Sequence, residues 1–350
     1  AMKALLVLEC YGATLCFVVL HAANWPAVLG LSDTLSSLGG LETRTVVACA
    51  VSLAALPTTF LQPRALLVFA PIGLLATGTL FVLEIVTPLF NATPLLPGSP
   101  CPTLDGEQSE GTSTLSHVAI RPEGLGIAIG IVFFCFAGHA TFPDLYWQMA
   151  QAERHEFDGA VNRGFAIASA VYVVFAAVGY LAYGSCAADA LTLNLISTSP
   201  LLGRIATVAV LFSTFCIIPV QLLVVTGTIA SCCDNGRTAS GLQLDRDETR
   251  DGGMRPCSAV FLPLSRAEVG LRCMLLIGDA TLAITIPNFH VVVGIMGAVT
   301  TMLISFILPP LLYSYVRGRS LPHPYLAGNL LLVAIGIGGM IIGVRNTLDV

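Results

Sequence analysis

One apolar segment of the chain is interrupted, over residues 134–144, by residue types that break a helix and expose its backbone. It reads Phe-Cys-Phe-Ala-Gly-His-Ala-Thr-Phe-Pro-Asp, in which the glycine, histidine and proline are Gly138, His139 and Pro143. Non-helical backbone is tolerated at membrane depth only where protein or a water-filled cavity satisfies its polar groups. A break here therefore indicates a binding site. The alternative interpretation is a packed helix end with a buried, hydrogen-bonded histidine.

Titratable side chains within apolar segments are the second group of candidate functional residues. The unperturbed pKa of histidine is near neutrality, so His139 is the candidate for binding and releasing a proton. The charged side chains inside other apolar runs are Glu9, Glu84, Arg272 and Asp279. Each is a functional hypothesis because burying a charge in lipid is costly, and structural pairing or snorkelling is the competing explanation. Arg272 and Asp279 are seven residues apart, about two turns of one helical face.

The motifs of membrane-embedded enzymes are missing from the sequence. It contains no H-E-x-x-H, no paired Asp-rich metal motif and no nucleophile elbow. We therefore expect neither an enzyme nor a bound metal or cofactor.

The amino-acid composition indicates which environment surrounds these residues. Of the 350 residues, 55% are hydrophobic and 11% are charged, against roughly 25% charged in ordinary soluble domains. The mean hydropathy is +0.83. A formal net charge of -5 without a basic stripe argues against a nucleic-acid binder. The composition therefore predicts an all-α polytopic protein whose main partner is the lipid bilayer.

Nine apolar runs are long enough to cross a bilayer, and we predict that they form a single transmembrane domain over residues 1–350. The runs are 4–29, 45–61, 63–90, 124–142, 164–184, 203–231, 266–286, 289–315 and 326–344. A cytoplasmic N-terminus puts eleven Lys/Arg residues inside and four outside, as the positive-inside rule requires. Loop 91–123 would then be outer or lumenal, and loop 232–265 cytoplasmic.

Two features of the outer loops agree with that orientation. Asn91-Ala92-Thr93 is a glycosylation acceptor pattern, so Asn91 is a glycosylation candidate. Cys101 and Cys186 are the cysteines in the loops placed outside, where an oxidising compartment favours disulfides. We predict that these two are bonded to each other.

Three blocks of the chain resemble the amino acid/auxin permease family, and in particular its vacuolar and vesicular inhibitory amino acid transporters. The first runs from Phe134 to Pro143 and on to the Tyr180-Leu181-Ala182-Tyr183-Gly184 segment. The second runs from Ala283 to Tyr313 through Ile286-Pro287-Asn288-Phe289. The third is the opening Leu8-Glu9-Cys10-Tyr11-Gly12 with Asn24.

The resemblance implies a LeuT-type inverted-repeat fold in which the nine runs are family helices 3 to 11. It also implies an N-terminally truncated chain, with a divergent nine-helix protein as the alternative. In such folds the substrate lies at the midplane between broken helices. The C-terminal end of a half-helix suits an ammonium group. The candidate carbonyls are those of Phe134, Cys135, Phe136 and Ala137, exposed by the conformationally permissive Gly138.

Further site residues follow from the same resemblance. Tyr11 would help close the substrate pocket, with simple packing as the alternative. Ser213 and Thr214 lie in the family's eighth helix, where sodium-coupled relatives place a hydroxyl ligand. For them the alternative is a hydrogen bond back to their own helix.

The predicted function is secondary active transport of a small amino acid, coupled to protons rather than sodium. The resemblance favours a vacuolar or vesicular membrane, with the plasma membrane as the alternative. The rival function is a non-transporting amino-acid sensor or a degenerate structural paralogue. Protein partners are not identified by the sequence.

Overall fold

The computed structural model describes residues 2–30, 37–38, 41–61, 63–66, 68–90, 101, 114–118, 124–138, 141–142, 146, 149, 151–188, 190–233, 266–286, 289–318 and 322–348. This part of the chain is mostly helical. Its only strands are the two-residue pair β1 (Ser37–Leu38) and β2 (Leu41–Glu42), which run antiparallel with Leu38 opposite Leu41. Loops 91–123 and 232–265 lie largely outside the described residues.

Each predicted apolar run overlaps at least one helix of the described chain. In chain order they are α1 (Met2–Leu29), α2 (Thr43–Thr58), α3 (Pro63–Leu66), α4 (Phe69–Phe90), α5 (Leu125–Cys135), α6 (Phe157–Tyr183), α7 (Leu191–Thr198), α8 (Pro200–Cys233), α9 (Arg266–Thr285), α10 (Phe289–Met296), α11 (Leu308–Arg317) and α12 (His323–Leu348). A π-helical stretch, Gly297–Ile307, joins α10 to α11 without a break.

Six helices of the described chain are long and apolar enough to cross a membrane. They cover Lys3–Leu29, Phe69–Pro88, Arg154–Cys186, Pro200–Ala230, Val291–Arg317 and His323–Thr347. The other three predicted spans are helical but differ in length or charge: α2 has 16 residues, α5 has 11, and α9 carries four charged side chains. The count of nine spans and the LeuT-type arrangement therefore stay predictions.

Helix α1 lies at the centre of the helix packing. It contacts α2, α8, α9 and α10. Its buried residues Cys16, Val18 and Val19 share one apolar core with Ala48 of α2 and Ile218 of α8. By contrast, α6 and α12 expose large apolar side chains over much of their surface. A buried central helix and apolar outer helices are the arrangement expected when the surrounding solvent is lipid.

Glycines allow α5 to pack unusually close to the π-helical stretch. A Cβ atom built on Gly297 would collide with the carbonyl oxygen of Gly130, and one on Gly130 would lie 2.7 Å from the carbonyl oxygen of Gly294. Backbone therefore touches backbone at this crossing, as is common where small residues line a membrane helix interface. The crossing anchors α5 one turn before its end.

We predict that Gly297→Ala destabilises the protein by about 1–3 kcal/mol, because the added methyl group overpacks a contact made by backbone atoms. The matched control is Gly338→Ala on α12, where a Cβ would meet nothing within 4 Å. Thermal unfolding of both purified variants in detergent is the measurement. Equal melting temperatures would contradict the close crossing.

A disulfide ties Cys101 to the end of α6. Cys101 and Cys186, the pair singled out in the sequence, are bonded in the structure with a Cα–Cα distance of 5.3 Å. Nearby, the backbone N–H of Ser185 donates to the Ser116 carbonyl over 3.0 Å, and the Tyr180 hydroxyl donates to the Val118 carbonyl over 2.6 Å. The segment 114–118 is thus fixed to α6 by hydrogen bonds, and Cys101 is fixed to the same end of the helix by the disulfide.

Removing the disulfide with Cys186→Ser should lower stability by up to about 4 kcal/mol, since the bond closes a long loop. Non-reducing peptide mapping of the wild-type protein should recover the peptides of Cys101 and Cys186 as one cross-linked species. Recovery of both cysteines as free thiols would contradict the pairing.

Candidate functional site

Helix α5 stops in the middle of its apolar run. Its last helical residue is Cys135, and Phe136 leaves the helix with φ -98° and ψ 7°. The next N–H groups turn back on the chain, with Ala137 donating to Phe134 over 2.9 Å and Gly138 donating to Phe136 over 2.9 Å. The break lies where the sequence predicts it.

Each of three candidate carbonyls already accepts one hydrogen bond. Ala137 and Gly138 donate to Phe134 and Phe136, and the hydroxyl of Tyr172 on α6 donates to Cys135 over 3.0 Å. A carbonyl oxygen has two lone pairs, so each retains capacity for a second donor. The helix end also carries partial negative charge. The arrangement suits a positively charged donor such as an ammonium group.

A cavity of about 440 Å³ opens beside the break, between the end of α5 and the first half of α6. Its walls are the break itself and a set of aromatic and small residues. They are Cys135, Phe136, Ala137, Gly138, Phe142, Met149, Phe157, Ala160, Val161, Gly164, Phe165 and Ala168. The volume lies in the range of small-molecule sites.

Aromatic rings form much of the cavity wall. Phe136 lies 6.0 Å from Phe165 and 5.2 Å from Tyr172 between ring centroids, and Phe142 lies 6.2 Å from Phe157 and 6.0 Å from Phe165. Aromatic faces attract cations as well as apolar groups. Carbonyls and rings together therefore present one surface suited to a cationic head and an apolar body.

Gly138 lies in the break without the left-handed conformation that favours glycine. The glycines with positive φ are Gly30, Gly184 and Gly318 in the described chain. A Cβ on Gly138 would lie 3.6 Å from the Phe142 ring, an ordinary contact. The role of Gly138 in exposing the carbonyls to a substrate stays a prediction.

Tyr11 makes its polar contact away from the break. It lies on α1, and its hydroxyl donates to the Leu275 carbonyl of α9 over 3.3 Å. A Cβ on Gly278 would collide with that hydroxyl, so the ring is held tightly against α9. The described contacts thus favour packing, the alternative to closure of a pocket at α5.

Ser213 and Thr214 face different helices. The Ser213 hydroxyl lies 2.8 Å from that of Thr77 on α4. The Thr214 hydroxyl lies 3.0 Å from the carbonyls of Val210 and Leu211, which is the expected bond back to its own helix. Because the two hydroxyls diverge, they do not form one ion site as a pair.

Thr214 also contacts His21 on α1, which lies in the wall of a second cavity, of about 390 Å³, between α1, α2 and α8. The Thr214 hydroxyl lies 3.3 Å from Nε2 of His21, and Nδ1 of His21 accepts a bond from the Trp25 indole over 3.1 Å. Both imidazole nitrogens are therefore engaged. The cavity wall is almost entirely apolar, so it offers few polar groups to a zwitterion.

His139 and Asn91 lie outside the described residues, and their predicted roles stay predictions. Within the described part of the chain, no group of three or more His, Cys, Asp or Glu side chains is arranged to hold a metal ion.

The structure adds two residues that the sequence did not single out for a role. Tyr172 reaches the break from α6, 37 positions away along the chain. Thr14 lies three residues after Tyr11, and its hydroxyl is 2.9 Å from Oδ2 of Asp279. Helical spacing alone places Thr14 near Tyr11. The packing of α1 against α9 was needed to find its partner.

Comparison with known proteins gives one consistent result. A family model described as "Transmembrane amino acid transporter protein" matches residues 1–348. Amino acid transporter AVT1C of Arabidopsis thaliana is 23% identical over 98% of this chain and 54% of its own length. Amino acid transporter ANT1 of the same plant is 28% identical over 64% of this chain and 49% of its own length. The chain thus spans about half the length of the curated relatives it matches.

We predict that Thr14→Val lowers the free energy of unfolding by about 1–3 kcal/mol, because it leaves the buried Asp279 carboxyl without its hydrogen-bond partner. Thr14→Ser keeps the hydroxyl and is the matched control. Differential scanning fluorimetry of both variants in the same detergent is the measurement. If Thr14→Val and Thr14→Ser were equally stable, the hydrogen bond between Thr14 and Asp279 would not contribute to stability.

Proposed function

Because the chain belongs to the transmembrane amino acid transporter family, we propose that it carries an amino acid across a membrane and binds it at the α5 break. The family assignment confirms the resemblance seen in the sequence. It also identifies the chain as part of a family of membrane transporters rather than enzymes.

The observation that carries the proposal is the end of α5 at Cys135 beside the aromatic cavity. An amino acid in solution is a zwitterion, so its site needs acceptors for an ammonium group and a place for the side chain. The carbonyls of Phe134, Cys135 and Phe136 supply the acceptors at the negative end of a helix. The cavity supplies an apolar surface for a small side chain.

The finer features of the proposal have separate support. Proton coupling suits a chain that carries His139 next to the break in the sequence and a fully buried carboxyl, Asp279, in helix α9. The proposed architecture is the LeuT type, with the nine apolar runs as family helices 3 to 11. A vacuolar or vesicular membrane is proposed because the resemblance favours vacuolar and vesicular transporters.

The test is uptake of radiolabelled amino acids by proteoliposomes that contain the purified protein, with protein-free liposomes as the blank. Saturable uptake that unlabelled amino acids compete away supports the proposal. Saturable binding without uptake would show that the protein is an amino-acid sensor and not a carrier. The absence of both binding and uptake would contradict the proposed binding site.

For the site itself, we predict that Tyr172→Phe weakens the apparent affinity for the amino acid by about 2- to 10-fold. The substitution removes one hydrogen bond, worth about 0.5–1.5 kcal/mol, that orients the Cys135 carbonyl. The matched control is Tyr180→Phe on the same helix, whose hydroxyl donates to Val118 instead. The half-saturation concentration of uptake is the measurement. Equal half-saturation concentrations for the two variants would show that the substrate does not bind at the break.

A further inference from the structure

Asp279 is the most completely buried charged side chain of the described structure. It lies in the middle of α9 and is 0% exposed. Its Oδ2 atom is 2.9 Å from the hydroxyl of Thr14 on α1, and its Oδ1 atom has no hydrogen-bond partner in the described structure. The protonation state of such a buried carboxyl group, with one oxygen atom unpaired, therefore has to be explained.

The two hydroxyls beside Asp279 each also reach a backbone carbonyl. The Thr14 hydroxyl lies 2.7 Å from the carbonyl of Tyr11, closer than it lies to Asp279. The Tyr11 hydroxyl interacts with the Asp279 carboxyl and also donates to the carbonyl of Leu275 over 3.3 Å. A threonine hydroxyl has one proton and two lone pairs. If that proton goes to Tyr11, the contact between Thr14 and Asp279 requires a proton on the carboxyl oxygen.

Charge leads to the same conclusion. An ionised carboxylate buried without a cation costs several kcal/mol. On α1, the ionisable groups in electrostatic contact with Asp279 are Tyr11 and Cys16. Neither of these can supply a positive charge.

The arginines of the neighbouring helices are directed elsewhere. Arg272 lies two turns away on α9 and donates to the carbonyl of Thr59, just past α2. Arg44 of α2 donates to the carbonyl of Ile286. The charged residue of α8 is Arg204, in the first turns of that helix beside Gly30. A proton is therefore the cation that best suits Asp279.

We propose that Asp279 is a proton-binding site of this transporter, with Thr14 as the acceptor for the bound proton; this inference rests on the proposed function. Binding adds one proton to Oδ2 and cancels one negative charge, and the new O–H group donates to the Thr14 hydroxyl oxygen. Release leaves an ionised carboxylate that α1 and α9 must rearrange to solvate. The proton thus changes the stability of one helix contact.

Packing connects that contact to the α5 break. Met296 at the end of α10 presses directly on Gly12 of α1, two residues before Thr14. The following residue, Gly297, packs against Gly130 and the side chain of Phe134 on α5. A shift of α1 would therefore be transmitted to α5, the helix that ends in the break.

The test compares Asp279→Asn with the wild type in proteoliposomes. The amide cannot titrate but can donate to Thr14 as a protonated carboxyl does, so folding and melting temperature should change little. Exchange of labelled for unlabelled amino acid at equal pH on both sides should persist. Accumulation driven by a pH gradient should fall at least 10-fold. Undiminished pH-driven accumulation in this variant would overturn the assignment and move the proton site elsewhere, for example to His139.

The matched control is Glu84→Gln, which removes another buried carboxyl, on α4. It should keep pH-driven accumulation. An equal loss in Glu84→Gln and Asp279→Asn would show that the effect is not specific to Asp279 and would overturn the assignment. Accumulation driven by a sodium gradient but not by a pH gradient would overturn it as well.

A measurement without transport separates this inference from the proposed function. Infrared difference spectra of the protein between acid and alkaline pH should contain the C=O stretching band of a protonated carboxyl, absent in Asp279→Asn and displaced in Asp279→Glu. Loss of exchange in the wild type with this band present would refute the carrier and leave the proton site standing. A spectrum without a band assignable to Asp279 would refute the proton site.

Discussion

Lipid offers no hydrogen bonds to the peptide group, and this constraint governs the rest of the structure. Each apolar run must satisfy its backbone internally, so the described chain is mostly helical. Where α5 ends at Cys135, the carbonyls have to find other partners. Turns within 136–138 and the hydroxyl of Tyr172 supply them only in part. The remaining capacity is what makes the break suited to a ligand.

Close helix contacts hold this unsatisfied backbone in place. The α5 helix is short and cannot rely on length for its stability. It is instead fixed by the crossing of Gly130 with the π-helical stretch that begins at Gly297. That stretch follows α10, which itself packs on the central helix α1. Binding geometry at one end of α5 therefore depends on backbone contacts made by glycines one turn earlier.

Buried polar side chains lie between the same packed helices, and each of them needs a hydrogen-bond partner. Thr14 and Asp279 form a buried hydrogen bond between the central helix and α9, beside the bond from Tyr11 to the Leu275 carbonyl, in a largely apolar contact. Such a bond is strong because water cannot compete, and it is also sensitive to a single proton. The framework thus combines an apolar core, which holds the helices, with a polar contact that can change state.

The sequence by itself determined the class of protein, the helical segments and the position of the break. It could do so because these depend on local composition: apolar runs need helices, and the glycine, histidine and proline within 134–144 favour a break in one. It also paired Cys101 with Cys186, since few cysteines fell in the outer loops. Tertiary structure alone decided which way Tyr11 points, that Ser213 and Thr214 diverge, and that Gly138 needs no special conformation. These depend on the rotation and approach of neighbouring helices, and contacts between residues far apart in the chain leave no periodic signal in one sequence.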